Sequence, residues 1–477
     1  MKHFTYKTLN ELRRAADELA PSVHFVDDRD RVRAALARPV NVGAIRVGNS
    51  TAIHPMEGCD STLDGRPDEL TIRRYERFAR GGAKLIWFEA TAVREDGRAN
   101  SRQLWITRDN VGDYAALYAN MLRWHRESCG ASHGGGDDLL IPIQLTHSGR
   151  YAVPRKTIAY HNPLIDEKSK TPSDYPVISD GELERLEDDY VAAAQLAYDA
   201  GFRAVDLKTV HGYLIHEMLG SRSHEASRYR GPELANRTRF IKNVLGKLRA
   251  KFGPNLTLCM RLNAFDSVPW QLNGEPYSYP TPYPHGWGVD INDPLREDLT
   301  EVKTLIGWLI EWGVELLNIS LGCPYYNPHV GRPFEKPDDG NYESPEHPLL
   351  GVDRHFRIAS ELQRAFPQLP MVGTGYSWLQ KYAVNAAAAN IESGAIAFFG
   401  LGRGVLAYPD FARDAIEKGE LDELRVCKTL TYCTYLMRNK NHPLGQFPAG
   451  CPPFDKEGYG QIMKEARAAQ RLVALRR

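Results

Sequence analysis

The chain has 477 residues, and its 60 Lys and Arg residues balance 60 Asp and Glu residues, so the formal net charge is zero. Because both signs are interspersed, the sequence lacks the extended basic face that nucleic acid requires, and we expect a small-molecule substrate. No apolar run approaches membrane-spanning length and the first thirty residues lack the apolar centre of a secretory signal, so a cytoplasmic protein is expected.

A unit of helix, glycine and buried strand recurs along the chain. Such strands are nearly continuous in aliphatic residues, which favours a parallel sheet covered by helices on both faces. Eight units predict a (β/α)8 TIM barrel, with an open doubly wound sheet as the alternative. The predicted strands are Val47–Ile53, Gly82–Glu89, Leu139–Leu145, Gly201–Leu207, Leu256–Leu262, Gly313–Ser320, Pro370–Gly375 and Gly394–Gly400.

We divide the chain into an N-terminal helical lead-in over residues 1–40, the barrel over residues 41–420 and a C-terminal extension over residues 421–477. Long loops follow the third, fifth and sixth strands at the same barrel face. They contain many aromatic residues and prolines, so we expect them to form a lid or a pocket wall. For the loop after the fifth strand, the alternative is that it only decorates the surface. These loops cover residues 150–179, 266–293 and 322–351.

The fourth predicted strand carries the strongest functional signal. A capping-box pattern at Ser179 begins a predicted helix that Gly201 ends. The strand that follows then delivers Lys208, His211 and Tyr213 to its carboxyl end. Since catalytic groups of TIM barrels come from the carboxyl ends of strands, these three are candidate catalytic residues.

Polar residues and glycines also end the other predicted strands. The glycine turns at Gly373–Gly375 and Gly400–Arg403 follow the seventh and eighth strands, where barrels commonly hold a phosphate. Neither turn has the spacing of a dinucleotide fingerprint, so no Rossmann domain is expected. The sequence therefore predicts a phosphorylated cofactor or substrate at this barrel mouth.

Seven separated motifs, in one order, together resemble the old yellow enzyme family of FMN-dependent oxidoreductases. The resemblance covers about residues 41 to 415 and implies a barrel with non-covalent FMN at its mouth, which NAD(P)H reduces and an activated alkene reoxidises. The motifs are Pro55-Met56, Glu89 to Val93, Gln144 to Arg150, His211 to Glu217, Asn236 to Phe240, Gly375 and Gly402-Arg403.

The resemblance also implies a role for each matching residue. Lys208 and His211 fall where the family holds the substrate carbonyl oxygen, and Tyr213 falls on its proton-donating tyrosine. Donors aimed at that oxygen stabilise the charge that develops there, and a tyrosine retains its proton at neutral pH. The implied FMN-binding residues are Pro55, Met56, Glu57 and Ala90 at the flavin edge, Gln144 and Arg261 at the pyrimidine, and Gly375, Gly402 and Arg403 at the phosphate.

The chain departs from the family pattern at three places. Lys208 stands where a histidine is usual, and its charge favours carboxylate-bearing or more basic acceptors. Glu57 stands where a small Thr or Cys is usual, and we hypothesise that its carboxylate lowers the reduction potential of the flavin. Residues 228–232 replace the family's Tyr-Gly-Gly turn, so loop contacts there cannot be carried over.

The C-terminal extension contains Cys427, Cys433 and Cys451, with His442 among them. A zinc or iron–sulfur site normally needs four ligands, and tight Cys-x-x-Cys pairs are absent. The seven cysteines, an odd number, also lack a disulfide framework. We interpret the three thiols as an eroded remnant of the cluster of larger flavin relatives, and predict no metal and FMN as the only redox centre.

Three alternative functions remain open. A flavin-dependent amine dehydrogenase or demethylase would use the aromatic loops as a cation–π cage, although Lys208 would repel a cationic amine. A Schiff-base lyase would use Lys208 as its nucleophile, and a non-catalytic barrel would bind without reacting. The sequence does not determine the natural substrate, the choice of NADH or NADPH, or whether the chain forms a homo-oligomer.

Overall fold

Parallel strands alternate with helices through most of the chain. The computed structural model describes residues 4–129, 137–337 and 342–475. The strands are β1 (Val40–Val42), β2 (Ile45–Val47), β3 (Thr51–Ile53), β4 (Leu85–Ile86), β5 (Phe88–Ala92), β6 (Pro142–Thr146), β7 (Ala204–Thr209), β8 (Thr257–Asn263), β9 (Val314–Ser320), β10 (Met371–Gly373) and β11 (Phe398–Leu401).

Helices connect these strands and surround the sheet. The helices are α1 (Leu9–Leu19), α2 (Arg29–Leu36), α3 (Glu69–Arg80), α4 (Val111–Cys129), α5 (Pro163–Ser169), α6 (Asp180–Asp199), α7 (Leu214–Leu219), α8 (Leu234–Arg237), α9 (Arg239–Phe252), α10 (Thr300–Glu311), α11 (Pro328–Gly331), α12 (Pro348–Ala365), α13 (Ala383–Glu392), α14 (Gly404–Ala407), α15 (Phe411–Lys418), α16 (Tyr432–Arg438) and α17 (Lys456–Leu475).

The main sheet closes on itself as a barrel. Its strand order is β4-β3-β11-β10-β9-β8-β7-β6-β5, and every pairing is parallel. The end strands β4 and β5 are two parts of the second predicted strand, interrupted only at Trp87, whose N–H donates to the Ile53 carbonyl on β3. The predicted (β/α)8 TIM barrel is therefore confirmed.

The first strand is shorter than the prediction of Val47–Ile53. It begins at Thr51, because the Asn49 side-chain oxygen accepts from the N–H groups of Thr51 and Lys84 and bends the chain before the strand. Val47 instead ends the antiparallel hairpin of β1 and β2. Val42 and Val47 on this hairpin are buried against the barrel interior, so the hairpin covers the end opposite the strand carboxyl ends.

A buried carboxylate fixes the interior of the barrel. Asp206 on β7 is fully buried and accepts hydrogen bonds from Trp87 Nε1 at 2.8 Å and from Gln144 Nε2 at 2.6 Å. Its other oxygen accepts from the backbone N–H of Arg261 at 2.7 Å. One side chain thereby links β6, β7 and β8 and the break between β4 and β5.

The lead-in and the extension both pack on the barrel. Leu12, Val32 and Leu36 of the lead-in are buried in the main core. The extension forms a smaller apolar cluster around Phe447 and is joined to α3 by ion pairs from Arg73 and Arg77 to Asp455. None of the described helices is both long and apolar enough to cross a membrane.

We expect Asp206→Asn to lower the midpoint of thermal unfolding. The amide NH2 would point at an N–H group that now donates to the carboxylate, and leaving that donor unsatisfied should cost about 1–3 kcal/mol of stability. Burial raises the pKa of Asp206 to about 6. A raised carboxyl pKa stabilises the fold at low pH and this contribution is lost as the pH rises through the folded pKa. The variant lacks that titration, so its deficit relative to wild type should be larger at about pH 4.5 than at about pH 7.5. A deficit that grows with pH would contradict this assignment.

Candidate active site

A cleft with a volume of about 220 Å³ opens at the carboxyl ends of the barrel strands. All of the predicted site residues except Ala90 line it. Ala90 lies in β5, buried, with its carbonyl accepting from Gln103 Nε2 at 3.1 Å. The predicted residues at the cleft are Pro55, Met56, Glu57, Gln144, Lys208, His211, Tyr213, Arg261, Gly375, Gly402 and Arg403.

An ion pair joins the end of the first barrel strand to the end of the fourth. Lys208 Nζ donates to Glu57 Oε1 at 2.5 Å, and the two side chains are only 2% and 16% exposed. Burial lowers the pKa of Lys208, while the Glu57 carboxylate acts in the opposite direction. The sequence singled out both residues separately as departures from the family, but their pairing follows only from the fold.

Tyr213 is held by both members of this pair. Its hydroxyl donates to Glu57 Oε1 at 3.3 Å, and the Lys208 ammonium lies 3.7 Å from the centroid of its ring. Burial and then the Glu57 charge raise the pKa of Tyr213 well above its usual value. Tyr213 therefore retains its proton at neutral pH.

Tyr325 is a site residue that the sequence analysis missed. It lies on the loop after β9, and its hydroxyl is 3.2 Å from that of Tyr213. Its ring stacks on Tyr151, with centroids 3.7 Å apart. The only sequence signal was its place in a long loop after a barrel strand, which does not distinguish it from Tyr326 beside it.

His211 faces the cleft from a strained backbone position. Its φ is +66°, in the left-handed region that residues other than glycine rarely adopt. Burial, together with the charges of Arg261 and Lys208, holds the pKa of His211 well below its usual value. The ring is therefore a neutral imidazole at neutral pH, with one N–H to donate.

Contacts behind the cleft hold this strained turn. Gly212 N–H donates to His216 Nδ1 at 2.8 Å, and His216 Nε2 lies 2.8 Å from Asp266 Oδ1. Arg150 Nε donates to Glu217 Oε1 at 2.7 Å, joining two of the family motifs. The motif residues next to His211 thus support the turn that presents it.

The position of Glu57 is fixed by its neighbour. Gly58 N–H donates to Glu89 Oε2 at 2.7 Å. Burial raises the pKa of Glu89 to about 7, although Arg74 beside it favours the ionised form. The next residue, Cys59, has a φ of +50°, so the chain turns sharply after Glu57.

One end of the cleft presents a cation and an amide. Because Asp206 accepts from Gln144 Nε2, the amide oxygen of Gln144 is left for the cleft. Burial lowers the pKa of Arg261 to about 10. Its Nε is buried and, among the described residues, meets no hydrogen-bond acceptor, so this end can bind a group that both accepts and donates hydrogen bonds.

The opposite end is lined by the two glycine turns. Gly375 has a φ of +94°, and a Cβ there would lie 2.8 Å from His355 Cβ. A Cβ on Gly402 would lie 3.3 Å from Met56 Sδ. Arg403 extends from the second turn and donates to Thr434 Oγ1 of α16. Glycine is therefore required at position 375, where a Cβ would be strained and would clash with His355, whereas position 402 has less space than usual for a side chain.

The cleft walls differ in part from the prediction. The loop after β9 lines the cleft. None of the residues described as lining it belongs to the loop after the third barrel strand, 150–179, or to the loop after the fifth, 266–293. That loop packs on its neighbours instead: Trp287 Nε1 donates to the Asn263 carbonyl, and Tyr283 lies near Asn162. The C-terminal extension replaces it as a wall, through Thr434, Met437, Arg438 and Gln446.

The three thiols of the extension lie near one another. Burial, and then the neighbouring Cys427, raise the pKa of Cys451 to about 12, with a smaller effect of Cys433. Cys427 Sγ accepts from Arg332 Nη2 at 3.3 Å. Within the described parts of the chain, no group of three or more His, Cys, Asp or Glu residues has a metal-binding arrangement.

Comparison with known proteins identifies the family. The sequence model of the NADH:flavin oxidoreductase / NADH oxidase family matches residues 35–274. The NADPH dehydrogenase of Geobacillus sp. (strain WCH70) is 31% identical over 265 residues, which cover 54% of this chain and 72% of that protein.

Solved structures share the fold. The 2-naphthoyl-CoA reductase complex with 2-naphthoyl-CoA has a TM-score of 0.67 at 17% identity, covering 90% of this chain and 58% of that one. The old yellow enzyme homologue from Zymomonas mobilis has a TM-score of 0.57 at 21% identity, covering 83% and 96%. The chain therefore belongs to the NADH:flavin oxidoreductase / NADH oxidase family, and is an FMN-dependent enzyme that uses NAD(P)H as its reductant.

Proposed function

We propose that this enzyme reduces the activated C=C bond of a small α,β-unsaturated carbonyl compound. The observation that carries the proposal is the arrangement at the end of β7. There a neutral imidazole, an ammonium and a phenol that retains its proton line the same cleft as the predicted flavin-binding residues. Alkene reduction needs both an oxygen-binding donor and a proton donor beside the flavin.

The residues at the cleft fit FMN. Gln144 and Arg261 would bind the pyrimidine, whose N–H and carbonyl groups match a free amide oxygen and a guanidinium without an acceptor. Gly375, Gly402 and Arg403 would bind the phosphate at the other end. Pro55, Met56 and Glu57 would lie along the flavin edge between them, whereas the position of Ala90 behind the lining residues gives no such contact.

FMN reduced by NAD(P)H would supply, when bound, the hydride that the β-carbon of the alkene accepts, and the negative charge would then develop on the carbonyl oxygen of the substrate. His211 donates its N–H to that oxygen. Lys208 has three N–H donors, of which Glu57 takes one, so it can also reach the oxygen. Each such donor typically contributes about 3–4 kcal/mol to the transition state.

Tyr213 donates the proton to the α-carbon of the substrate. Glu57 and Tyr325 orient its hydroxyl. The ammonium of Lys208 over the ring then stabilises the phenolate that remains, until water returns the proton. Lys208 therefore favours both charges that form during the reaction, one on the substrate oxygen and one on Tyr213.

The same contacts argue against the alternatives. Burial lowers the pKa of Lys208, but the Glu57 carboxylate bound to it favours the protonated ammonium. A Schiff-base nucleophile must instead be a free amine. The ammonium of Lys208 also lines the cleft at the proposed substrate position. It would repel a cationic amine, and we therefore do not propose an amine dehydrogenase.

We expect Tyr213→Phe to slow reoxidation of the reduced enzyme by an enone by about 10²- to 10⁴-fold, because it removes the proton donor. Reduction by NAD(P)H needs no such proton and should change little. Stopped-flow measurement of the two half-reactions separates these effects, and Tyr325→Phe is the control that keeps the Tyr213 proton. Equal slowing of both half-reactions by Tyr213→Phe would remove it from the proposed role.

The ion pair predicts opposite effects on the flavin midpoint potential. Glu57→Gln leaves an uncompensated ammonium and should raise the potential, whereas Lys208→Met leaves a carboxylate and should lower it. Each variant should also lose about 3–5 kcal/mol of stability, because it leaves a buried charge unpaired. The double variant should be close to wild type in both properties.

Spectroelectrochemical titration at neutral pH and thermal unfolding measure these quantities. Shifts of the same sign in the two single variants, or a double variant whose stability loss is the sum of the two, would show that Glu57 and Lys208 do not act as a pair.

A further inference from the structure

Arg332, which follows α11 on the loop after β9, has no counter-ion among the described residues. Its Nε and Nη1 atoms are buried, and neither meets a hydrogen-bond acceptor among the described residues. Its remaining nitrogen, Nη2, donates to Cys427 Sγ at 3.3 Å, and sulfur is a weak acceptor. No described carboxylate forms an ion pair with Arg332, although the residue lines the FMN cleft.

Backbone contacts place Arg332 beside the first glycine turn. The carbonyl of Val330, two residues earlier, is 3.1 Å from His355 Nε2. The other ring nitrogen, Nδ1, lies 2.8 Å from Thr374 Oγ1, and Gly375 follows directly with its backbone against the same ring. A single imidazole therefore separates the Arg332 segment from the turn at Gly375.

Its side-chain partner points to the same end of the cleft. Cys427 lines a small pocket together with Ser377, two residues after the first glycine turn, and Gly404, which directly follows the second. Ser377 also lines the main cleft. These contacts place the guanidinium of Arg332 at the end of the cleft where Gly375, Gly402 and Arg403 are found.

A buried guanidinium is costly unless an anion compensates it. Arginine binds phosphate through charge-assisted N–H donors, and two of the three guanidinium nitrogens of Arg332 meet no acceptor among the described residues. We propose that Arg332 is a second arginine of the FMN phosphate site, contributed by the loop after β9 in addition to Arg403 from the loop after β11. This inference depends on FMN binding and not on the alkene substrate.

The test compares FMN with riboflavin, which has the same ring system and ribityl chain but no phosphate. Apo-protein is prepared by removing the flavin, and the dissociation constants of both are measured by quenching of flavin fluorescence. We expect Arg332→Ala to weaken FMN binding by about 10- to 100-fold, as loss of a charge-assisted contact does, and to leave riboflavin binding within about twofold. The phosphate's contribution to affinity is then smaller in the variant than in wild type.

Two matched variants separate charge, position and fold. Arg332→Lys keeps the charge without the paired donors, so it should lose less FMN affinity than Arg332→Ala. Arg438→Ala removes a cleft cation whose Nη2 already donates to a protein acceptor, the Pro324 carbonyl. It should change FMN and riboflavin binding by the same factor.

Thermal unfolding gives a reading independent of ligand affinity. Because no described carboxylate compensates Arg332, Arg332→Met should leave the midpoint of the apo-protein unchanged or raise it. The increase of the midpoint on adding FMN should become smaller, while the increase with riboflavin should not.

Three results would overturn the inference. Equal weakening of FMN and riboflavin would give Arg332 a structural role. Unchanged binding of both would leave it outside the flavin site. Unchanged flavin binding with a loss of discrimination between NADPH and NADH would assign Arg332 to the phosphate of the reductant instead. If the wild-type enzyme reduced enones only slowly while Arg332→Ala still weakened FMN binding more than riboflavin binding, the proposed function would be wrong and the assignment of Arg332 would stand.

Discussion

The buried pair of Glu57 and Lys208 is the interaction on which the active site depends. It joins the ends of two barrel strands that are far apart in sequence, and it holds the hydroxyl and the ring of Tyr213 between two opposite charges. A carboxylate or an ammonium alone at this depth would be strongly destabilising. Together they are tolerated, and they hold Tyr213 where it lines the cleft.

The rest of the barrel mouth follows the same constraint, that buried charge needs a partner. Asp206 is compensated by three N–H donors and in turn orients Gln144. Arg150 and Glu217 neutralise each other behind the catalytic turn. Arg261 and Arg332 line the cleft, and each retains a buried nitrogen that meets no acceptor among the described residues. Both are cationic, as a site for an anionic cofactor would require.

The cleft is also asymmetric in its walls. Tyr325 and Arg332 come from the loop after β9, and the C-terminal extension supplies α16. Cys427 of that extension accepts from Arg332 and lines a small pocket with Ser377 and Gly404. The extension therefore forms part of the cleft wall, and one of its helices binds Arg403 through Thr434.

The sequence by itself determined the barrel and most of the cleft. A glycine before each buried strand and polar residues after it are local features of the sequence, and they recur along the chain. They were enough to place Lys208, His211 and Tyr213 at one strand end. The predicted first strand was too long, because the side-chain oxygen of Asn49 accepts from the backbone N–H of Thr51 and the strand begins only there. Only the tertiary structure decided that Glu57 binds Lys208, that Tyr325 reaches Tyr213 and that Arg332 lies beside Gly375. Those contacts join residues more than 40 positions apart, and which loops meet across a barrel mouth depends on the packing of the whole chain.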